Sequence, residues 1–129
     1  MRKAETLRGR GAFQSLYRYG RRIDGEVLRC FFRWETGAGT LVRAGFSISA
    51  KRYNAVKRNR AKRLMRAAFD LERAPLTGAA ETAGKPLSVL FVYSGAGKPA
   101  PEHFTLEPIR TDLGSLCRKV SSLAGRERA

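Results

Sequence analysis

The sequence predicts a two-layer α/β sandwich in a single domain, ordered helix, strand, strand, basic helix, strand, helix. Three observations carry that prediction. Two stretches, Glu26 to Glu35 and Val42 to Lys51, alternate apolar and polar residues with the period of a half-buried strand. A third, Leu87 to Tyr93, is nearly continuous apolar, as expected of a strand covered on both faces and parallel to a neighbour. Between them, the residues after Asn54 are mostly good helix formers, and the run reaches Glu72 without Gly or Pro. A length of 129 residues suits one domain with one core.

Taken in order, residues 1–10 are polar and basic, with Arg2, Lys3, Arg8 and Arg10, and read as a flexible arm able to touch nucleic acid. A short helix is expected over Ala12 to Tyr19, with Gly20 in the position favoured for a left-handed C-terminal cap. Phe13, Leu16 and Tyr17 share one side of that helix. Such a stripe either enters the core or lines a site, and the helix alone does not decide. In the first strand, Leu28, Cys30, Phe32 and Trp34 form a core face, while Val27, Arg29, Phe31 and Arg33 point the other way. Phe31 thus stands between two arginines, a pattern that a core does not bury. Single-stranded nucleic acid suits it, because bases stack on the ring while guanidinium groups neutralise phosphates.

Residues 36–40 read as a hairpin turn. In the next strand Val42, Ala44, Phe46, Ile48 and Ala50 face the core, and Arg43, Gly45, Ser47, Ser49 and Lys51 face out. A hairpin sets both outward faces on one side of the sheet, as a basic, hydroxyl-bearing floor with an aromatic in it. After the basic helix, residues 73–86, with Pro75, Gly78, Gly84 and Pro86, read as a loop. Residues 94–101 read as a second one: their glycines lack a following Gly-Lys-Ser/Thr, and Pro99 interrupts any helix start. The last helix opens near Pro108, buries Ile109, Leu113, Leu116, Cys117 and Val120, and gives way to a tail over 125–129. A fourth short strand is compatible with this pattern, in the turn or at a strand break. No internal repeat is present.

Charge is the anomaly. There are 26 basic and 11 acidic residues, a net charge of +15, with a sequence pI near 11.1. At that density the expected partners are nucleic acid or an anionic membrane. No apolar run approaches a membrane span, and the first residues lack a signal-peptide core, so the expected location is the cytoplasm with no membrane partner. Cys30 and Cys117 are too few for a disulfide framework or an unaided zinc site and read as small core residues.

The charge is concentrated. Between Lys51 and Arg66, eight of sixteen residues are Lys or Arg, and no Asp or Glu occurs from Thr36 to Phe69. Wound as a helix, Arg58, Lys62 and Arg66 stack at i, i+4 and i+8 with Asn59 and Arg63 beside them. Ala61, Leu64, Met65, Ala68 and Leu71 fall opposite. Like charges at that spacing repel, and a polyanion reverses the sign of the effect. A merely solvated face usually mixes signs.

The segments Gly45 to Lys51 and Asn54 to Arg66, centred on Arg58-Asn59-Arg60 with Lys62, Arg63 and Arg66, resemble the signature of the bacterial ribonuclease P protein subunit. Phe13-Gln14-Ser15-Leu16-Tyr17 and Gly20 are similar to that family's aromatic first helix. One departure is visible: many members carry a Lys-Lys-x-Gly run where this chain has Ala50-Lys51-Arg52-Tyr53. The resemblance implies a single ribonuclease P protein domain with a left-handed βαβ crossover around the basic helix, contrary to the usual rule. It implies a catalytic RNA as partner, one protein per RNA, precursor tRNA as substrate, and magnesium bound by the RNA as cofactor. Asn54, Lys57, Arg58, Asn59, Arg60, Lys62, Arg63 and Arg66 would then meet the RNA subunit. Phe13, Tyr17, Arg29, Phe31, Arg33, Arg43, Ser47, Ser49 and Lys51 would hold the single-stranded 5′ leader.

The residues themselves offer no catalytic constellation. His103 has no nucleophile paired with it, and the carboxylates are scattered, with Asp70 and Glu72 on different sides of one helix. The protein is therefore expected to carry neither catalytic residues nor a metal site. The alternatives are a ribosomal or RNA-chaperone protein, which charge and size fit equally well, and a DNA-binding regulator. The first does not account for a basic helix paired with an aromatic-lined floor. The second would want a helix-turn-helix companion or a dimer interface.

Overall fold

The structure, a computed structural model, describes residues 4–7, 10–37, 39–49, 51–95 and 103–128. Arg2, Lys3, Arg8, Ala38, Ala50 and residues 96–102, about which the sequence raised expectations, lie outside the described residues. The elements are β1 (Ala4–Thr6), α1 (Arg10–Tyr19), β2 (Arg21–Asp24), β3 (Leu28–Trp34), β4 (Val42–Ile48), α2 (Ala55–Glu72), α3 (Ala74–Ala83), β5 (Leu87–Tyr93) and α4 (Leu106–Arg128).

The five strands form one sheet in the order β1-β4-β5-β3-β2. The expected β3–β4 hairpin is absent, because β5 lies between the two, parallel to β4 and antiparallel to β3. Composition explains the insertion. β5 is apolar on both sides and belongs in the middle, whereas β3 and β4 each carry one polar face. The faces survive the change, since β3 and β4 still turn the same residues to the same side. Leu28, Cys30 and Phe32 join Val42, Ala44 and Phe46, and Leu87, Val89 and Phe91, in one core against α2, α3 and α4.

Five further differences have local causes. Residues 74–83, expected as loop, are α3. Pro75 sits in its first turn, where a missing N–H costs little, and Gly84 at φ 67° caps its end by donating to Ala80 O at 2.8 Å. Leu76 and Ala80, one turn apart, are fully buried. The expected arm is ordered in part: β1 runs parallel to β4, and Leu7 N donates to Ala44 O at 2.8 Å. β2 is an edge strand paired with β3, and its exposed, mostly charged residues carry no alternating signal. Gly20 ends α1 without a positive φ; the glycine is needed because a Cβ would stand 2.5 Å from Leu16 O. Finally, α4 continues through the predicted tail to Arg128.

α4 is tied to the sheet at two points. The buried Asp112 carboxylate accepts the backbone N–H groups of Glu26, Val27 and Leu28 at 2.8, 2.9 and 2.8 Å. Trp34 Nε1 donates to Ala124 O at 3.1 Å. Cys30 and Cys117 are core residues, and burial pushes the Cys117 thiol up to about 12 and raises that of Cys30 as well.

Candidate nucleic-acid interface

α2 begins at Asn54, whose side-chain oxygen accepts Lys57 N at 2.9 Å. This cap satisfies a backbone donor that would otherwise be orphaned. Ala61, Met65, Ala68 and Phe69 form the buried stripe, with Leu64 half-buried. Phe69, missing from the predicted stripe, takes the place given to Leu71, which is 55% exposed. The two lie on opposite margins of the stripe, and the sheet lies on the Phe69 side: its ring centroid is 5.9 Å from those of Phe46 and Phe91.

The basic residues of α2 divide by what they touch. Arg58 Nη1 donates to Tyr53 O at 2.7 Å, and Arg60 Nε donates to Phe104 O at 3.0 Å. Arg66 lies over the Phe46 ring, 5.6 Å from its centroid. Asn59 and Arg63 crown the exposed arc, with Lys57 and Lys62 half-buried. Arg52, not among the predicted site residues, adjoins this end: Nη1 donates to Ser94 O at 3.2 Å, and the guanidinium lies 5.5 Å from the Tyr53 ring centroid. From Lys57 to Arg66 the helix therefore presents one sign of charge, with two of its arginines also braced on carbonyls.

The second face of the sheet consists of three cross-strand rows. Strand register aligns Arg29 with Val92 and Ser47, Phe31 with Leu90 and Gly45, and Arg33 with Ser88 and Arg43. α1 lies across the middle row, where Leu16 packs with Leu7, Phe31 and Leu90. Gly45 makes room for this roof: a Cβ there would stand 3.0 Å from Phe13 Cζ and 3.2 Å from Leu7, closer than those side chains sit without giving way. Phe31, expected to be open for stacking, is 8% exposed. The correction has a simple cause: Tyr17 roofs it, ring centroids 4.8 Å apart, edge to face. The α1 stripe enters the core only in part: Leu16 is buried, Phe13 half-buried and Tyr17 47% exposed.

The predicted leader set is thereby split. On one flank of α1 lie Arg29, Ser47, Ser49 and Lys51, with Phe13 and Tyr17 above the middle row. Lys51 N donates to Ser49 Oγ at 3.2 Å. Arg29 Nε lies 2.9 Å from Asp24 Oδ1, and Asp24 also takes Arg22 at 3.1 Å. The Arg22 hydrogen bond, followed by that of Arg29, holds the Asp24 carboxyl below its ordinary range. On the other flank Arg33 Nη1 donates to Ser15 Oγ at 2.9 Å and reaches Glu35 at 3.5 Å, and Arg43 lies across the row. Sequence reasoning missed Tyr19, which is 69% exposed beside Arg33. The signal was an aromatic at the end of a short helix, one residue before glycine.

Fold and surface together define a small α/β protein that offers a polyanion a basic helix and a basic sheet face roofed by aromatics. The match is to the family Ribonuclease P, over residues 1–93. A ribonuclease P protein component from Chlorobium phaeobacteroides is 30% identical over 93% of this chain and 87% of its own length. One from Symbiobacterium thermophilum is 42% identical over 55% of this chain and 61% of its own. Among solved structures, the ribonuclease P protein of Staphylococcus aureus superimposes with a TM-score of 0.64 at 19% identity, covering 89% of this chain and 94% of that one. That of Thermotoga maritima gives 0.63 at 20%, covering 88% and 96%. The chain belongs to the ribonuclease P protein family.

Proposed function

We propose that this chain is the RNA-binding subunit of a ribonuclease P, assisting a catalytic RNA in removing the 5′ leader of precursor tRNA. The observation that carries this reading is the one-signed arc of α2, opened by the Asn54 cap, in a chain of this family. Asn59, Lys62, Arg63 and Arg66 would contact the RNA subunit, where their mutual repulsion turns into attraction. Arg58 and Arg60 would add charge while fixing the helix to its surroundings. The flank bearing Arg29, Ser47, Ser49 and Lys51 would take the single-stranded leader. Tyr17 would offer its exposed ring to a base, with Phe31 supporting it from below. The strand-breaking chemistry would belong to the RNA and its magnesium. One protein would serve one RNA, in the cytoplasm.

The test is reconstitution. Precursor tRNA is incubated with the purified protein, with the RNA subunit of the same organism, and with both, at limiting magnesium. Correct 5′ processing only when RNA is present, and faster with the protein added, is the expected result. Cleavage by protein alone, or no effect of protein on the RNA, would overturn the proposal; the latter would favour a ribosomal or chaperone role.

A further inference from the structure

The flank of α1 that the proposed leader site does not use has a site of its own. A cleft of about 770 Å³ runs along it, bordered by Ser15, Glu35, Arg43, Arg66, Arg73 and Ser88. Ser15 and Glu35 are also the two groups that hold Arg33. Arg33 in turn lies over the Tyr19 ring, 5.8 Å from its centroid, at the C-terminal end of α1. Arg66 belongs to the basic arc of α2, so the cleft connects that helix to the second face of the sheet. Three guanidinium groups line it against the carboxylates of Glu35 and Asp70, and a fourth, that of Arg33, is held next to it by Ser15 and Glu35.

We propose that this cleft is a second track for single-stranded RNA, running from Arg66 and Arg73 past Arg43 to a stacking platform at Tyr19. Two features select this ligand. The excess of guanidinium groups suits a phosphodiester backbone, and their planar donors match its oxygens. Tyr19 selects a single strand, since only an unpaired base can lie on the ring. The side chain is 69% exposed and one face is taken by Arg33, which holds the ring in place and leaves the opposite face for a base. The proposal rests on the RNA-binding reading for the identity of the polyanion, and it adds a surface separate from the Arg29–Ser47 flank.

The test uses the full chain and a twelve-nucleotide oligouridylate, beside an oligomer of the same length whose riboses lack bases. Tyr19→Ala should weaken oligouridylate binding about fivefold or more, since stacking is lost. Tyr19→Phe should retain it, and Tyr19→Ala should not alter binding of the abasic oligomer. Arg43→Glu should weaken both ligands. Oligouridylate carrying 4-thiouridine should crosslink to wild-type protein at Tyr19 as well as at Tyr17. Crosslinks confined to Tyr17, or Tyr19→Ala within twofold of wild type on oligouridylate, would overturn the proposal, as would equal losses for Tyr19→Ala and Tyr19→Phe. Since these measurements need no RNA subunit, their failure is distinguishable from failure of the reconstitution assay.

Discussion

The two faces of the sheet are drawn from the same three strands, yet they are covered on different terms. One face is closed by three helices over a continuous apolar core, and α4 is pinned to it through Asp112 and Trp34. The other is roofed by the ten residues of α1 over a cluster of four buried side chains, with charged rows on both flanks. A sheet face that is half apolar and half basic is costly to bury completely, because buried arginines need partners. Covering only its apolar middle row leaves the basic rows at the surface. The arrangement thus gives one side to the core and leaves charge at the surface of the other, where the proposed leader site lies.

Aromatic truncations on the two faces sharpen that contrast. Phe32→Ala, on the fully covered face, should cost about 3–5 kcal/mol in urea denaturation, the range for a cavity that cannot collapse. Phe31→Ala should cost less, about 3 kcal/mol, because α1 is short and can settle into the gap. Equal losses would mean that the second face is as rigidly packed as the first.

Asp112→Ala tests the pin. Three backbone donors lose their acceptor, and a destabilisation of about 2–3 kcal/mol is expected, with Asp112→Asn retaining part of the stability. A change below about 0.5 kcal/mol, by the same denaturation assay, would show that water replaces the carboxylate without penalty. Asn54→Ala removes the cap of α2 and should cost about 1 kcal/mol, while Asn54→Ser restores most of it.

A further effect, confined to alkaline pH, concerns the core thiols. The folded pKa of Cys117 is pushed above its ordinary value of 9.0 to about 12, so the neutral thiol is favoured in the native state. Its contribution to stability is full below about pH 9 and is lost as pH rises toward 12. Urea midpoints should fall between pH 9 and 12 and fall less in Cys117→Ala. Thiol reagents at pH 8 should label Cys30 and Cys117 only after unfolding.

Much of this was legible in the sequence where period and charge speak together. The core residues of β3 and β4, the continuous apolar run of β5 and the basic arc after Asn54 each follow from composition and spacing alone. What escaped depended on tertiary context. Nothing in the Gly- and Pro-bearing segment 73–86 says that Pro75 and Gly84 stand at the two ends of a helix, where they are tolerated, with Gly78 inside it. The edge strand β2 reads as polar chain because its partner supplies the order. Phe31 between arginines was correctly set on the second face. Its burial by Tyr17 depends on where α1 lands, which no local pattern records.

The division of labour between α2 and the second face is tested most directly by comparing Arg63→Ala with Tyr17→Ala in the reconstituted particle. Affinity is measured for the RNA subunit, and for precursor tRNA with leaders of two and of ten nucleotides. Arg63→Ala should weaken assembly with the RNA subunit and flatten its salt dependence, whatever the leader. Tyr17→Ala should leave assembly intact and weaken binding of the ten-nucleotide leader alone, by about fivefold or more. Loss of both functions in both variants, or leader-length dependence in Arg63→Ala but not in Tyr17→Ala, would contradict the account.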